Sequence, residues 1–334
     1  MVGLDLPCAA PLRDLLSDPE VTDVLINGSA GVWVDGPGGL RATAISLGGH
    51  TQIRTLACQL AAIGRGRLDD ASPATDVQLP GGLRMHAILP PIAPNGPLIS
   101  LRTSRRQAFT LAELTARGTM GADCAELLAA MVAARVNFLV CGATGAGKTT
   151  LLAALLALVP ASERILLIEE VAEISVQHQH IVRLEARPAN SEGRGEVTLA
   201  DLIRHAVRMR PDRIVLGECR GAEVRDVLTA LNTGHEGSCA TLHANTARDV
   251  PARLAALGSL AGMTTQAVAT GTVAALTAVV HLRRSRSSGR RQVTEIAAIK
   301  PAEGLPVTVP AVIVREGLVE RGPGWADLAD KCGW

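Results

Sequence analysis

Residues 138–156 read FLVCGATGAGKTTLLAALL, and this stretch decides the fold. It begins with an apolar run typical of a buried strand, passes through the pattern GxxxxGK[ST] at 142–149, and continues as an apolar run typical of a helix. Glycines let the backbone curl so that several N–H groups face one ligand, and the start of a helix adds positive partial charge. The stretch therefore predicts a phosphate-binding loop between a strand and a helix.

Two side chains of this loop have the chemistry that a nucleoside triphosphate requires. Lys148 is expected to reach the β- and γ-phosphates, and the hydroxyl of Thr149 is expected to help hold Mg²⁺. ATP and Mg²⁺ are accordingly the predicted cofactors. The loop residues that we expect to bind the nucleotide are Gly142, Ala143, Thr144, Gly145, Ala146, Gly147, Lys148, Thr149 and Thr150.

Carboxylates follow two further apolar runs. Residues 213–217 form an apolar strand that ends at Glu218, and residues 164–168 form another, which leads into Glu169, Glu170 and Glu173. Ligands of open α/β sheets bind at the carboxyl ends of the strands. Hydrolysis of a phosphoanhydride needs one carboxylate to hold Mg²⁺ and another to orient or deprotonate the attacking water. Either strand end could also be a solvated loop.

Two histidines flank the short strand expected at 238–242. A lone histidine is usually structural, but His243 at the carboxyl end of this strand could sense a γ-phosphate. His178 and His180 lie two residues apart in a polar stretch. A surface loop is the favoured interpretation of that pair, and metal binding is the alternative.

Before residue 104 the pattern is α+β, with a helix at 50–63 and short strands near 75–79, 83–89 and 98–102. We predict an α+β N-terminal domain over 1–104 and a linker with a connecting helix over 105–118. Apolar strands then alternate with helices over 119–334, which favours a mostly parallel sheet covered by helices. Residues 283–291 are predicted to be a charged hairpin tip between two strands.

Composition excludes several classes of protein. The 334 residues are 47% hydrophobic and 19% charged, which is ample for buried cores. The net charge of +1 gives no electrostatic reason to expect stable binding to nucleic acid or to an anionic membrane surface. The seven cysteines are scattered and never form CxxC, which indicates a reducing compartment rather than disulfides or a zinc site.

Targeting signals are not evident. The first residues lack a basic region followed by an apolar core, so no signal peptide is predicted. The apolar stretches near 122–141 and 266–282 are interrupted by polar residues, so neither is expected to be a transmembrane segment. A cytoplasmic location is the prediction.

With these stretches in hand, the chain resembles the secretion ATPase superfamily, and within it the CpaF-like ATPases of tight-adherence (Flp/Tad) pili. The similarity runs over about residues 12–300. The segments that resemble the family, in order, are 18–28, 76–84 and 98–102 in the N-terminal part, then an Asp box at 168–173, a linking segment at 183–198, an atypical Walker B at 208–218, and a His box at 232–235 and 241–245.

The resemblance assigns roles to individual positions. Lys148 and Thr149 would bind phosphates and Mg²⁺, Glu218 would belong to the Mg²⁺ shell, Glu173 would be the catalytic carboxylate, and His243 would lie near the γ-phosphate. It also points to four arginines as contacts to nucleotide, some of them from a neighbouring subunit: Arg84, Arg102, Arg204 and Arg208. An arginine inserted from a neighbour would stabilise charge on the transferring phosphoryl group.

The fold class implied is α/β, a RecA-like P-loop ATPase domain preceded by a smaller α+β N-terminal domain. The assembly implied is a homo-hexamer, peripheral at the inner face of the cytoplasmic membrane, that works on an inner-membrane platform protein of a pilus or secretion system. There are three departures from the family pattern. Glu170 stands where the Asp box usually has aspartate, the N-terminal part is short, and the tetracysteine module of type II secretion ATPases is absent.

Three other functions remain open from the sequence. A type IV secretion traffic ATPase would share the fold. A nucleic-acid-dependent RecA-like ATPase is disfavoured by the neutral net charge and by the scarcity of aromatic side chains that could stack on bases. A structural subunit that binds nucleotide and barely hydrolyses it would carry the same phosphate-binding loop.

Overall fold

The computed structural model describes residues 6–36, 38–103, 108–189, 193–285, 289–315 and 318–333. Two compact units divide the chain, Met1–Arg106 and Gln107–Trp334. Residues 104–107, at the start of the predicted linker, and 286–288, in the predicted hairpin tip, lie outside the described residues. Each unit is described below by itself.

In the first unit, an antiparallel sheet packs against helices. Six strands pair there among the described residues, in the order β3-β2-β1-β6-β5-β4. Burial alternates along β1 because one face of the strand covers the core and the other faces outward. Its elements are α1 (Arg13–Ser17), β1 (Asp23–Asn27), β2 (Val32–Asp35), β3 (Arg41–Ala42), α2 (His50–Ile63), β4 (Ala74–Leu79), β5 (Leu83–Ile88) and β6 (Leu98–Arg102), with 3-10 turns at Pro7–Leu12, Gly28–Ala30 and Pro80–Gly82.

The second unit alternates helices and strands before it ends in antiparallel strands. Its elements are α3 (Leu111–Ala116), α4 (Ala122–Ala133), β7 (Phe138–Gly142), α5 (Lys148–Leu156), β8 (Ile165–Glu169), β9 (Ile181–Glu185), α6 (Leu199–Ala206), β10 (Arg213–Cys219), α7 (Val224–Leu231), β11 (Cys239–Leu242), α8 (Val250–Leu260), α9 (Thr265–Ala275), β12 (Ala278–Arg284), β13 (Arg291–Lys300), β14 (Val307–Arg315), β15 (Leu318–Arg321) and α10 (Trp325–Cys332).

The sheet of the second unit has nine strands within the described ranges, in the order β15-β14-β13-β12-β7-β11-β10-β8-β9. Pairing is parallel from β12 across to β9 and antiparallel from β12 to β15. β7 and β8 are buried along their whole length, as expected of central parallel strands covered on both faces. One core, with Leu127 and Leu151, lies under α3, α4, α5 and α10, and the other, with Val227 and Leu254, lies under α6 to α9.

Most sequence-predicted elements are confirmed. The helix at 50–63 is α2, the parallel sheet is present, and the capping box at Thr110 and Glu113 starts α3, with Thr110 accepting the N–H of Glu113. Several elements were missed, namely β3, β9, α9, β14, β15 and α10. β9 is an edge strand without a continuous apolar run, and α9 is rich in Ala, Thr and Gly, so that the apolar stretch at 266–282 divides between α9 and β12. Among the described residues, no helix has the length and apolar character needed to cross a bilayer.

Candidate active site

The order of the parallel strands decides which residues meet at the carboxyl-terminal edge of the second sheet. β7 leads into the phosphate-binding loop, and β11 ends one residue before His243. β10 carries Glu218 near its end, and β8 leads into 169–173. Because β7, β11, β10 and β8 are successive neighbours in the sheet, these residues follow one another along a single edge.

Lys148 is the buried cation of this edge. It is the first residue of α5 and only 7% exposed. Its ammonium group donates hydrogen bonds to the carbonyls of Gly142 (3.1 Å) and Ala143 (3.2 Å), and lies 3.3 Å from Nδ1 of His243. Burial lowers the pKa of Lys148, and the negative charge of Glu218 opposes that shift. A buried ammonium held mainly by neutral carbonyls would gain from anionic oxygens.

The loop itself is curled in the way a phosphate site requires. Gly145 and Gly147 have φ of +72° and +96°, in the left-handed region that glycine adopts without strain. Arg291 braces the loop from β13, because its Nε donates to the carbonyl of Gly145 at 2.9 Å and its side chain lies against Gly147. With the N-terminus of α5 behind it, this backbone fits a polyphosphate.

A chain of polar contacts continues from Lys148 along the edge. Nε2 of His243 contacts Oε1 of Glu218, and Arg220 donates from Nε to Oε2 of Glu218 at 2.7 Å. Arg220 also donates from Nη1 to Oε2 of Glu170 at 2.9 Å. Burial and then the charge of Lys148 lower the pKa of His243, so the ring is neutral near pH 7. A neutral ring that accepts from Lys148 at Nδ1 carries its proton on Nε2, facing Glu218.

Glu173 lies in the turn that follows β8. Glu173 is exposed, and its backbone N–H donates to Oε1 of Glu169 at 2.9 Å. The charge of Glu173 acts to raise the pKa of both Lys148 and Arg220, so this carboxylate belongs to the same electrostatic cluster. The hydroxyl of half-buried Thr149 and the carboxylate of Glu218 are oxygen ligands of the kind Mg²⁺ prefers, so the donor set fits that cation.

Of the four sequence-predicted arginines, two lie in the first unit and two lie on or just after α6 in the second. Arg84 and Arg102 face each other across β5 and β6 of the first unit. Arg204, on α6, donates to Asp226 (2.9 Å) and Asp201 (3.2 Å). Arg208 donates to the carbonyl of Arg204 at 3.0 Å.

His178 and His180, the pair in the polar stretch, have structural contacts. Nε2 of His178 lies 3.1 Å from the carbonyl of Pro160, and Nδ1 of His178 accepts the N–H of His180. Arg164 lies 2.7 Å from Nε2 of His180. These contacts fasten the segment before β9 and support the surface-loop interpretation of the pair.

Sequence reasoning missed three side chains that shape the site. Arg220 was not singled out, although it lies two residues after Glu218. Arg291 was treated as part of a charged hairpin, and Arg183, on β9, donates to Glu169 at 3.3 Å. The only sequence signal for these three is a basic residue near an acidic motif, and in a chain with 33 basic residues that signal is weak.

Comparisons with known proteins identify the family of this sequence. The chain matches the family model described as type II/IV secretion system protein over residues 7–307. It is 49% identical over 330 residues to a putative conjugal transfer protein of Mycobacterium tuberculosis, a match that covers 97% of this chain and 94% of the relative. It is 31% identical over 246 residues to the conjugal transfer protein TrbB of Rhizobium radiobacter, covering 72% of each.

Two solved structures share the fold. The ATPase DotB of Yersinia pseudotuberculosis matches with a TM-score of 0.61 and 18% identity, over 87% of this chain and 77% of that one. The pilus retraction motor PilT with bound ADP matches with a TM-score of 0.59 and 21% identity, over 87% and 78%. The predicted fold class, α/β with a RecA-like P-loop domain after a smaller α+β domain, is confirmed.

Proposed function

Because the chain belongs to the type II/IV secretion system protein family, we propose that it is an Mg²⁺-dependent ATPase that converts hydrolysis into mechanical work for secretion or pilus assembly. One observation carries the proposal. Lys148, His243, Glu218 and the turn with Glu173 follow one another along one sheet edge, and His243 contacts both Lys148 and Glu218. A phosphate-binding loop alone would support nucleotide binding, whereas this arrangement adds carboxylates for hydrolysis.

Each side chain of the edge has a role in the proposed reaction. Lys148 would exchange its carbonyl partners for β- and γ-phosphate oxygens. Thr149 and Glu218 would hold Mg²⁺, which would neutralise charge on the phosphates. Glu173 is the catalytic carboxylate that orients or deprotonates the attacking water. His243, neutral and wedged between Lys148 and Glu218, moves when either partner turns to the nucleotide, and so reports the state of the γ-phosphate to the end of β11.

The working assembly in this proposal is a homo-hexamer at the cytoplasmic face of the inner membrane, acting on a platform protein. Arg84, Arg102, Arg204 and Arg208 contact nucleotide, some of them across a subunit boundary. Half-exposed Arg204 is tied to Asp226 and Asp201, and it can exchange these partners because solvent screens an ion pair whose cation is exposed. Within the family, the ordered motifs favour the CpaF-like ATPases of tight-adherence pili.

The test is Mg²⁺-dependent ATP hydrolysis per protomer over a range of protein concentrations. Lys148→Ala is expected to abolish turnover, and Lys331→Ala, which removes an exposed lysine on α10, serves as the matched control. Specific activity that rises with concentration supports sites completed by a neighbouring subunit. Activity that depends on Lys148 yet stays constant down to monomeric protein contradicts that part of the proposal.

Glu173→Gln separates the ATPase from a structural subunit that only binds nucleotide. The variant is expected to bind ATP normally and to lose turnover, because the amide cannot take a proton from water. Wild-type turnover in Glu173→Gln would remove Glu173 from the proposed mechanism, and the absence of turnover in the unmodified protein would favour the structural subunit. Single-stranded DNA added to the same assay tests the nucleic-acid-dependent alternative, for which stimulation is required.

A second candidate is a type IV secretion traffic ATPase. The names of the conjugal transfer relatives favour it, and one of them aligns over 94% of its own length. Deletion of the gene from its host distinguishes the two. Loss of surface pili with normal conjugation frequency supports the tight-adherence assignment, and the reverse result supports the traffic ATPase.

A further inference from the structure

We propose that Glu169 is a positioning residue for hydrolysis, which acts by fixing the backbone that carries Glu173. The inference rests on the proposed function, in which Glu173 is the catalytic carboxylate. It separates the three carboxylates of 169–173, which the sequence presents together at the end of one strand, into distinct roles.

The carboxylate of Glu169 is folded back under the turn that follows it. Oε1 accepts the backbone N–H of Glu173 at 2.9 Å and the backbone N–H of Ile174 at 2.8 Å. The side chain is 4% exposed, so neither hydrogen bond competes with solvent. Two consecutive peptide groups held by one oxygen fix where the Cα–Cβ bond of Glu173 points.

Arg183, on the neighbouring strand β9, binds both Glu169 and the turn that follows it. It pairs with Leu167 in the register of β8 and β9. Its Nη1 donates to Oε2 of Glu169 at 3.3 Å and to the carbonyl of Ile174 at 2.5 Å. The guanidinium therefore supplies the countercharge that a buried carboxylate needs, and it binds the same turn by its carbonyl side.

Glu169 also touches the strand that carries Glu218. A Cβ added to Gly217 would lie 3.0 Å from Cγ of Glu169, so the stem of this side chain passes over the residue directly before Glu218. One buried side chain thus lies against the residue before the proposed Mg²⁺ ligand and accepts hydrogen bonds from the backbone of the proposed catalytic carboxylate and of the residue after it. This is the geometry expected of a residue that holds two reacting groups in register.

Glu170 provides the contrast within the same turn. Its side chain is 58% exposed and pairs with half-exposed Arg220. It binds no backbone group of the turn in the contacts described, and exposed pairs of this kind contribute little to stability. Of the two adjacent carboxylates, only Glu169 therefore fixes the backbone of this turn in the contacts described.

The experiment measures kcat, KM and the Kd of a non-hydrolysable ATP analogue in the full chain. Glu169→Ala is expected to lower kcat by about tenfold to a hundredfold with the Kd unchanged, because displacement by about 1 Å from the reactive geometry costs about that much. Glu169→Gln keeps an oxygen acceptor but presents N–H groups to Arg183, so a smaller loss is expected. Glu126→Gln, which changes an exposed carboxylate on α4 outside the active-site cluster, should remain close to wild type.

Double variants with Glu173→Gln distinguish positioning from general loss of structure. If Glu169 acts through Glu173, Glu169→Ala lowers kcat in the wild-type background and leaves unchanged the small residual turnover of Glu173→Gln, measured at high enzyme concentration over long times. A loss that adds in full, or wild-type kcat in Glu169→Ala, overturns the inference. If Glu169→Ala does not fold, Glu169→Gln decides by the same comparison. Wild-type turnover in Glu173→Gln alone would overturn the proposed role of Glu173 as well. If Glu173→Gln is inactive and the Glu169 variants have normal turnover, only the positioning role of Glu169 is overturned.

Discussion

Arg213 offers a quantitative test of what holds the second sheet together at the end opposite the active edge. The residue starts β10 and its side chain is 1% exposed. Nε donates to Oε2 of Glu163 at 2.6 Å, and Nη2 donates to Oε1 of Glu163 at 3.4 Å and to the carbonyl of Val132 at 3.0 Å. We consider Arg213→Met, which keeps the apolar stem and removes the charge and the donors.

The expected cost follows from the carboxylate left behind. Removing one partner of a buried ion pair costs about 3–5 kcal/mol, because the other charge is then buried and uncompensated. Glu163 is 14% exposed and keeps Arg135 at 3.5 Å, so the lower end, about 3 kcal/mol, applies. For a unit of this size that corresponds to a decrease in Tm of roughly 6–12 °C.

Differential scanning calorimetry measures the shift, and two further variants control it. Lys300→Met breaks an ion pair of the same 2.6 Å length in which both partners are at least one-third exposed, so a decrease of about 1 kcal/mol or less is expected. Adding Glu163→Leu to Arg213→Met removes the stranded carboxylate and should recover most of the loss. Equal shifts for Arg213→Met and Lys300→Met, or a double variant no better than the single, would refute the reasoning.

Two further predictions concern the site. Burial and Lys148 lower the pKa of His243, so as the pH falls below the ordinary value of 6.5 the unfolded chain takes up this proton before the folded chain does. Wild type should therefore lose free energy of unfolding relative to His243→Gln as the pH falls through about 6.5, measured by urea unfolding, and a constant difference would contradict this. In Gly217→Ala the added Cβ would press against the side chain of Glu169. The variant is expected to lose about 1–3 kcal/mol of free energy of unfolding. It is also expected to have a lower kcat while still binding ATP, and a wild-type kcat would contradict this prediction.

The sequence predicts those parts of the site that depend on neighbouring residues in the chain. The phosphate-binding loop is one continuous stretch, so the identity and context of Lys148 and Thr149 can be inferred directly. Lys148 and His243 are 95 positions apart in sequence, yet Nζ of Lys148 lies 3.3 Å from Nδ1 of His243. This contact depends on β7 and β11 being neighbours in the sheet. Periodicity predicts that both strands exist but not that they pair.

The same limit explains the connections that the sequence did not reveal. Asn137, just before β7, donates to the carbonyls of Leu231 and Ala275 and accepts the N–H of Ser238, so one amide fastens the ends of α7 and α9 and the start of β11. The residues next to Asn137 in sequence do not distinguish it from an asparagine that precedes a strand and faces solvent. Arg291 is comparable, since its contact with Gly145 joins residues 146 positions apart.

The glycine before Glu218 shows how two motifs become one structural unit. Ile168 pairs with Leu216 in the register of β8 and β10, so the next residues along the two strands are Glu169 and Gly217. A side chain at 217 would meet the Glu169 stem, and a shorter residue at 169 would release the backbone of Glu173 and Ile174. Gly217 on β10 is thus required because the buried side chain of Glu169 at the end of β8 lies against it. The Gly-Glu pair of β10 and the first glutamate after the apolar run of β8 therefore form a single constraint, which sets the positions of Glu218 and Glu173 relative to each other.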